Sequence, residues 1–190
     1  MVNEAKRSTD SRKSTVNLSI DSRVIQELRK EASSQNMSLN AKTNSVLLKH
    51  VDFHRWNEDF GCVIWDHRVF LSFLDLIDDE SKILNVFWNE GGANVMAYFN
   101  HNNIPVNKEN IIKHICERLG IWTGHYTFFN HYTDSEGHTC LVFDHRFGLK
   151  WSRILASLHS RPFERWLGLK IVANITPNTV VLKIIERDID

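Results

Sequence analysis

The most informative segment of the amino-terminal third is Ser14-Thr15-Val16-Asn17-Leu18-Ser19-Ile20. Apolar and polar residues alternate strictly along it, so Val16, Leu18 and Ile20 share one face of an extended chain. The alternation predicts one short strand that is buried on one side. Such a strand has no partner within so short a unit, and an unpaired strand with an exposed apolar face is a liability by itself.

Two helices are predicted to follow this strand. Asp21 or Ser22 can cap the first helix, in which apolar residues recur at helical spacing. Residues 33–36 interrupt the pattern, and Ser38 can cap a second helix that runs on to about Trp56. The sum is a strand, a helix, a turn and a helix. Pairing the strands of two chains antiparallel, with both chains' helices packed beneath, would bury every apolar stripe.

This pattern resembles the ribbon-helix-helix superfamily of Arc, MetJ and CopG type, over residues 14–52. The most family-like stretch is Asn-Met-Ser-Leu-Asn-Ala-Lys-Thr-Asn-Ser-Val-Leu at residues 36–47. The resemblance implies an intertwined homodimer whose two-stranded ribbon lies in the major groove of double-stranded DNA. The absence of arginine among the outward strand positions is a departure that leaves sequence specificity open.

The resemblance also implies which residues contact DNA. Asn can pair bidentately with adenine, Lys can reach guanine acceptors, and Thr offers a hydroxyl and a methyl group. The amides at the start of the second helix would hold a phosphate, and a basic tail at residues 1–13 would add phosphate contacts. The predicted base contacts are Lys13, Thr15 and Asn17. Ser19 lies too near the helix to reach a base. The predicted phosphate contacts are Ser38, Leu39, Asn40, Lys6, Arg7 and Arg12.

Charge is distributed unevenly along a chain whose net charge is zero. Residues 1–56 carry ten Lys or Arg against six Asp or Glu, whereas residues 57–190 carry thirteen against seventeen. A basic amino-terminal part and an acidic remainder would direct the first towards phosphate and keep the second away from it.

Residues 57–190 are predicted to form a separate α+β domain with helices on a mainly antiparallel sheet. Its role would be oligomerisation or effector sensing. The predicted elements are a strand over 62–66, helices over 69–77 and from Ser81 to Gly91-Gly92, a strand over 93–99, a helix capped by Asn107 and ended by Gly120, a hairpin of 122–132 with 138–145, a long helix over 148–167, and a hairpin of 170–175 with 179–185.

Residues 144–152, Asp-His-Arg-Phe-Gly-Leu-Lys-Trp-Ser, resemble a segment of uncharacterised archaeal proteins that join a ribbon-helix-helix unit to a domain of this size. The triplet Asp-His-Arg occurs twice, at residues 66–68 and 144–146, and a similar apolar run precedes each copy. Duplication would explain this repeat, and so would chance together with the capping preference of Asp.

One set of side chains in this domain has the chemistry of a nickel, copper or zinc site. Its geometry is unfavourable, because alternate strand residues point to opposite faces, so that no single face collects all members. Metal sensing is therefore an alternative, and no cofactor is expected. The candidate ligands are His125, His131, His138, Cys140 and His145.

Catalysis is not expected, because no GxxxxGK[ST], GxSxG, HExxH or GxGxxG motif is present. A nuclease centre could be built from Asp66, His67, Asp144 and His145 only if these side chains lay close together. Their spacing along the sequence does not show that they do. The three cysteines lack CxxC spacing, and the sequence shows neither a signal peptide nor a membrane span, which predicts a cytoplasmic protein.

The function predicted from sequence is sequence-specific transcriptional regulation, for example repression, by a DNA-binding homodimer that could form larger assemblies on DNA. The alternatives are a regulator that responds to a metal or a small molecule through residues 57–190, and an antitoxin-like dimer that binds a protein.

Overall fold

The computed structural model describes residues 14–59 and 65–185, except for the side chain of Trp56. The chain divides into two compact units, Met1–Lys49 and His50–Asp190. The sequence placed this boundary after Trp56, where the composition changes, whereas the structural division falls within the predicted second helix. The predicted residues Lys6, Arg7, Arg12 and Lys13 lie outside the described residues, as do positions 62–64 of a predicted strand.

The first unit contains two helices, α1 (Ser22–Ser34) and α2 (Leu39–Lys49), as the sequence predicts. The carboxylate of Asp21 accepts a hydrogen bond from the Arg23 amide at 2.7 Å and caps α1. Asn36 adopts φ +52° in the turn between the helices, a conformation that Asn tolerates better than most residues. Residues 14–20 form no ladder within one chain.

The second unit begins with the π-helical segment His50–His54 and α3 (Arg55–Asp59). Asp66 caps the next helix through the Arg68 amide, as predicted. Further along, two π-helical segments with i→i+5 hydrogen bonds link α-helical stretches into longer helices. The helical elements are α4 (His67–Asp75), α5 (Glu80–Val86), π-helical Phe87–Gly91, α6 (Gly92–His101), α7 (Lys108–Asn110), π-helical Ile111–Leu119, α8 (Gly120–Trp122) and α9 (Gly148–Leu167).

Four antiparallel strands form one open sheet in the order β1-β2-β4-β3. This confirms the α+β class, the antiparallel sheet and both predicted hairpins. The first hairpin is shorter than predicted because Trp122 ends a helix and residues 123–127 form a turn before β1. The strands are β1 (Phe128–Thr133), β2 (Thr139–Asp144), β3 (Lys170–Ile175) and β4 (Thr179–Ile185).

Helix α9 packs on one face of this sheet and forms the centre of the core. Alternate residues of β2 and β4 point at it, among them Leu141, Phe143 and Leu182, which are fully buried. Trp151 on α9 is also fully buried. The bounds of α9 agree with the sequence prediction, and its left-handed terminal residue Gly168 explains why it ends there.

Two predictions about glycine were wrong. Residues 93–99 form part of helix α6, not a strand, and the Gly91-Gly92 pair has helical φ angles and continues the helix. Gly120, predicted to end a helix, lies inside one. The loss from glycine in a helix is only about 1 kcal/mol, and burial of side chains such as Phe99 outweighs it.

Gly120 is required because Tyr126 packs directly against it. A methyl group at this position would lie 1.9 Å from the Tyr126 hydroxyl oxygen, and that ring is itself buried. We expect Gly120→Ala to lower the free energy of unfolding by about 1–3 kcal/mol, as overpacking does. The matched control is Gly91→Ala, also in helical backbone with nothing within 4 Å of the added carbon.

Denaturant unfolding of the two alanine variants measures this difference. Gly91→Ala should be neutral or stabilising by a few tenths of a kcal/mol, because alanine favours the helix. Equal stability of the two variants would show that Tyr126 does not hold the position found here.

Candidate functional site

The predicted ribbon segment is exposed along its whole length. Val16 is 69 % exposed and Leu18 is 62 % exposed, although both are large and apolar. Thr15 and Asn17, the predicted base contacts, are exposed as well. Pairing with a second chain would cover apolar side chains that one chain leaves exposed in this way.

The start of α2 has the geometry of an anion-binding helix terminus. The Ser38 hydroxyl accepts a hydrogen bond from the Ala41 amide at 3.1 Å, so this side chain caps the helix. The amides of Leu39 and Asn40 belong to the first turn, where N–H groups have no acceptor within the helix. Together with the positive end of the helix dipole they can hold a phosphate oxygen.

Several charges of the first unit pair with one another. Lys30 contacts Glu27 at 2.7 Å, and Lys42 contacts Glu31 at 2.8 Å. These pairs reduce the field that α1 and α2 offer to a phosphate backbone. Arg23 and Arg29 are exposed on α1. The predicted base and tail contacts would therefore have to supply much of the attraction to DNA.

The five candidate metal ligands do not form one centre. Within residues 14–59 and 65–185, no group of three or more His, Cys, Asp or Glu side chains is placed to hold a metal ion. His131 lies 3.4 Å from Glu117, and both are exposed. His125 packs against Trp151 at a ring distance of 5.6 Å, and its pKa is lowered to about 4 by burial.

His138 and Cys140 both lie near Asp134, which anchors the first hairpin. The Asp134 carboxylate accepts hydrogen bonds from the His138 and Glu136 amides at 2.9 Å, and Lys183 contacts it at 2.8 Å. The hydrogen bond from Lys183 lowers the pKa of Asp134 to about 2. The Cys140 thiol is buried at 3.9 Å from the same carboxylate. This arrangement organises a turn around a carboxylate and a lysine.

His145 is a buried structural link between α9 and the second hairpin. Its Nδ1 accepts a hydrogen bond from the Phe147 amide at 3.1 Å, so the ring proton resides on Nε2. Nε2 lies 2.9 Å from the Ser152 hydroxyl, which donates to the Thr176 carbonyl at 2.6 Å. Since the imidazole donates to the serine, it is not placed to accept the serine proton, as a nucleophile's base must.

The two Asp-His-Arg triplets have different roles. Asp66 caps α4, whereas Asp144 ends β2 and accepts a hydrogen bond from the Thr179 hydroxyl at 2.8 Å. Capping therefore explains only the first triplet. The Phe147 ring stacks on the imidazoles of both triplets, at 4.6 Å from His67 and 6.1 Å from His145. Both imidazoles therefore pack against an aromatic ring.

Sequence reasoning missed a buried polar cluster on α9. His159 is 4 % exposed, and its Nδ1 lies 3.7 Å from the Cys116 sulfur. The Tyr126 hydroxyl donates to the Cys116 carbonyl, and burial raises the pKa of the Cys116 thiol. One signal was available, because His159 falls at four-residue spacing in a stripe with Leu155 and Phe163, which are fully buried.

Comparison of the chain with protein-family models, with curated proteins and with solved structures gives no match in any of the three. Across the part of the chain that the structure describes, no helix combines the length and apolar character needed to cross a membrane.

Proposed function

We propose that this protein is a sequence-specific DNA-binding transcriptional regulator that acts as a ribbon-helix-helix homodimer, with the ribbon strands in the major groove. The observation that carries the proposal is the exposed alternating segment at residues 14–20, directly before two capped helices. Its apolar side chains need a covering surface, and its polar side chains have base-contacting chemistry.

The first unit buries few of its apolar side chains within one chain. Among residues 14–49, Ala32 alone is buried, while Val24, Val46 and Leu47 are between 43 % and 50 % exposed. A unit of this size gains most of its stability from burying such side chains. A second copy, which brings the same strand and the same helical stripes, supplies the missing partner for each of them.

DNA is the ligand that the outward groups of such a dimer would favour. Antiparallel pairing of two 14–20 segments places Thr15 and Asn17 of both chains on one face of a narrow ribbon. The first-turn amides of α2 would hold backbone phosphates on either side. Phosphate contacts orient the protein, and the ribbon side chains then discriminate between base pairs.

The direct test is a titration of the purified full chain with random and genomic duplex fragments at two salt concentrations. The proposal expects tight, salt-sensitive binding to a subset of fragments. Binding to no fragment under any condition would reject it, and would favour a dimer that binds a protein instead.

Asn17 should determine which DNA is bound. Asn17→Ala is expected to weaken binding to a preferred site about tenfold, since a good bidentate pair contributes roughly 1–3 kcal/mol of discrimination. Binding to random DNA and the salt dependence should change little. The measurement is fluorescence anisotropy with labelled duplexes of both kinds.

The matched control is Asn174→Ala, the same substitution at an exposed position of β3. It should leave both affinities unaltered. Replacing Lys6 and Arg7 should weaken all DNA alike and reduce the salt slope, because those contacts would be made to phosphate. If Asn17→Ala binds the preferred site with wild-type affinity, the assignment of the base-contacting face is wrong.

A further inference from the structure

The second unit contains an apolar cavity of about 130 Å³ between helices. Its walls come from the π-helical segment Phe87–Gly91 with the start of α6, from the end of the Ile111–Leu119 segment, and from α9. Trp88 and Trp166, which stack at a ring distance of 5.7 Å, both line it. A cavity of roughly 150 Å³ can hold benzene, so this one has the size of a single six-membered ring.

Two neutral imidazoles are the polar side chains of the lining, which otherwise consists of apolar and aromatic residues. Burial lowers the pKa of His125 to about 4, and burial with the nearby His125 lowers that of His159 to about 3. The Nδ1 of His159 contacts the Cys116 sulfur, whereas its Nε2 has no hydrogen-bond partner among the described residues. The described residues also provide no hydrogen-bond partner for the His125 ring.

A buried polar atom without a partner is costly, by about 1–3 kcal/mol, and in a cavity the missing partner can be a ligand. The lining side chains carry no charge, so a charged ligand would lose its hydration without compensation. A hydroxyl group both donates and accepts, and therefore satisfies an imidazole in either tautomer. The aromatic walls favour a flat, apolar body for the rest of the ligand.

From this cavity we infer a binding site for a small neutral aromatic alcohol of the phenol class. The ring occupies the space beside Trp88 and Trp166, and the hydroxyl hydrogen-bonds to Nε2 of the buried His159. This inference goes beyond the proposed DNA-binding function and is independent of it, because ligand binding is measured without DNA.

The test is isothermal titration of the full chain with phenol at neutral pH, with tryptophan fluorescence as a second readout. Phenol should bind saturably, with a dissociation constant in the millimolar range or tighter. Toluene has a similar shape but no hydroxyl and should bind at least tenfold more weakly. Benzoate, which is charged, should not bind. Equal binding of phenol and toluene, or no saturable phenol binding, would overturn the inference.

Two valine variants locate the site. Val95 on α6 lines the cavity, whereas Val86 at the end of α5 is 65 % exposed and is not among the lining residues. Val95→Phe therefore fills the space and Val86→Phe does not. Val95→Phe should abolish phenol binding, and Val86→Phe should retain it. If both folded variants bind phenol as the wild type does, phenol binds elsewhere and the inference fails. His159→Phe removes the hydrogen-bonding group and should bring phenol affinity down to that of toluene.

Discussion

Leu18→Asp is expected to convert the proposed dimer into a monomer that does not bind DNA. Leu18 is 62 % exposed in one chain and, in the proposed ribbon, is covered by the partner's helices. Burying a leucine contributes about 1.5–3 kcal/mol, and the dimer contains two copies. Placing carboxylates there adds a desolvation cost, so the dimer dissociation constant should rise by on the order of 10³-fold or more.

Ser19→Asp is the matched control, with the same charge on the next residue and the opposite face of the strand. It should remain dimeric, although its carboxylates near the groove would weaken DNA binding. Sedimentation equilibrium measures the mass of both variants. If Leu18→Asp keeps the dimer mass of the wild type, residues 14–20 do not form the interface.

Stability of the second unit is expected to fall by about 4–5 kcal/mol between pH 7 and pH 5. The causes are the imidazoles of His114, His125 and His159, whose pKa values burial lowers from 6.5 to about 4, about 4 and about 3. His159 is buried, whereas His114 and His125 are half-buried. Between those values and 6.5 the unfolded chain binds protons that the folded chain does not, so stability decreases as pH decreases. Above about pH 7 both states are neutral at these positions and the contribution is constant.

Denaturant unfolding at pH 5, 6, 7 and 8, followed by near-ultraviolet circular dichroism, measures this dependence. His159→Phe should remove about 2 kcal/mol of the decline, whereas the exposed His131→Gln should leave it unchanged. Asp134 does not interfere, since its pKa of about 2 makes its contribution vary only at lower pH. Constant stability from pH 7 to pH 5 would contradict the burial of these imidazoles.

The sequence predicted those elements whose ends are chemically marked. Helix α9 and the hairpin that follows it are bounded by Gly148, Gly168 and Pro177, and their predicted bounds agree with the structure. Residues 93–99 were mistaken for a strand because Gly91 and Gly92 suggested a stop. That local preference is weak, and packing of α6 against the core outweighs it, which a pattern of single residues does not reveal.

The candidate sites were less predictable because they depend on contacts between distant elements. The spacing of His125 and Cys140 suggested a metal centre. It could not show that His125 packs on Trp151 or that Cys140 lies beside Asp134. Likewise, nothing local to His159 shows that it lines a cavity with His125. The alternation of residues 14–20 predicted a strand buried on one face, whereas in one chain these residues form no strand and are all exposed.

In the proposed assembly, two chains complete the first unit and bind duplex DNA together. Sedimentation velocity of the wild-type chain, alone and with a short labelled duplex from a preferred fragment, measures the mass of both species. We expect a 44.4 kDa particle, twice the 22.2 kDa chain, that binds the duplex with an even number of chains and releases it at high salt. A 22.2 kDa particle that leaves the duplex unbound at low salt would contradict it.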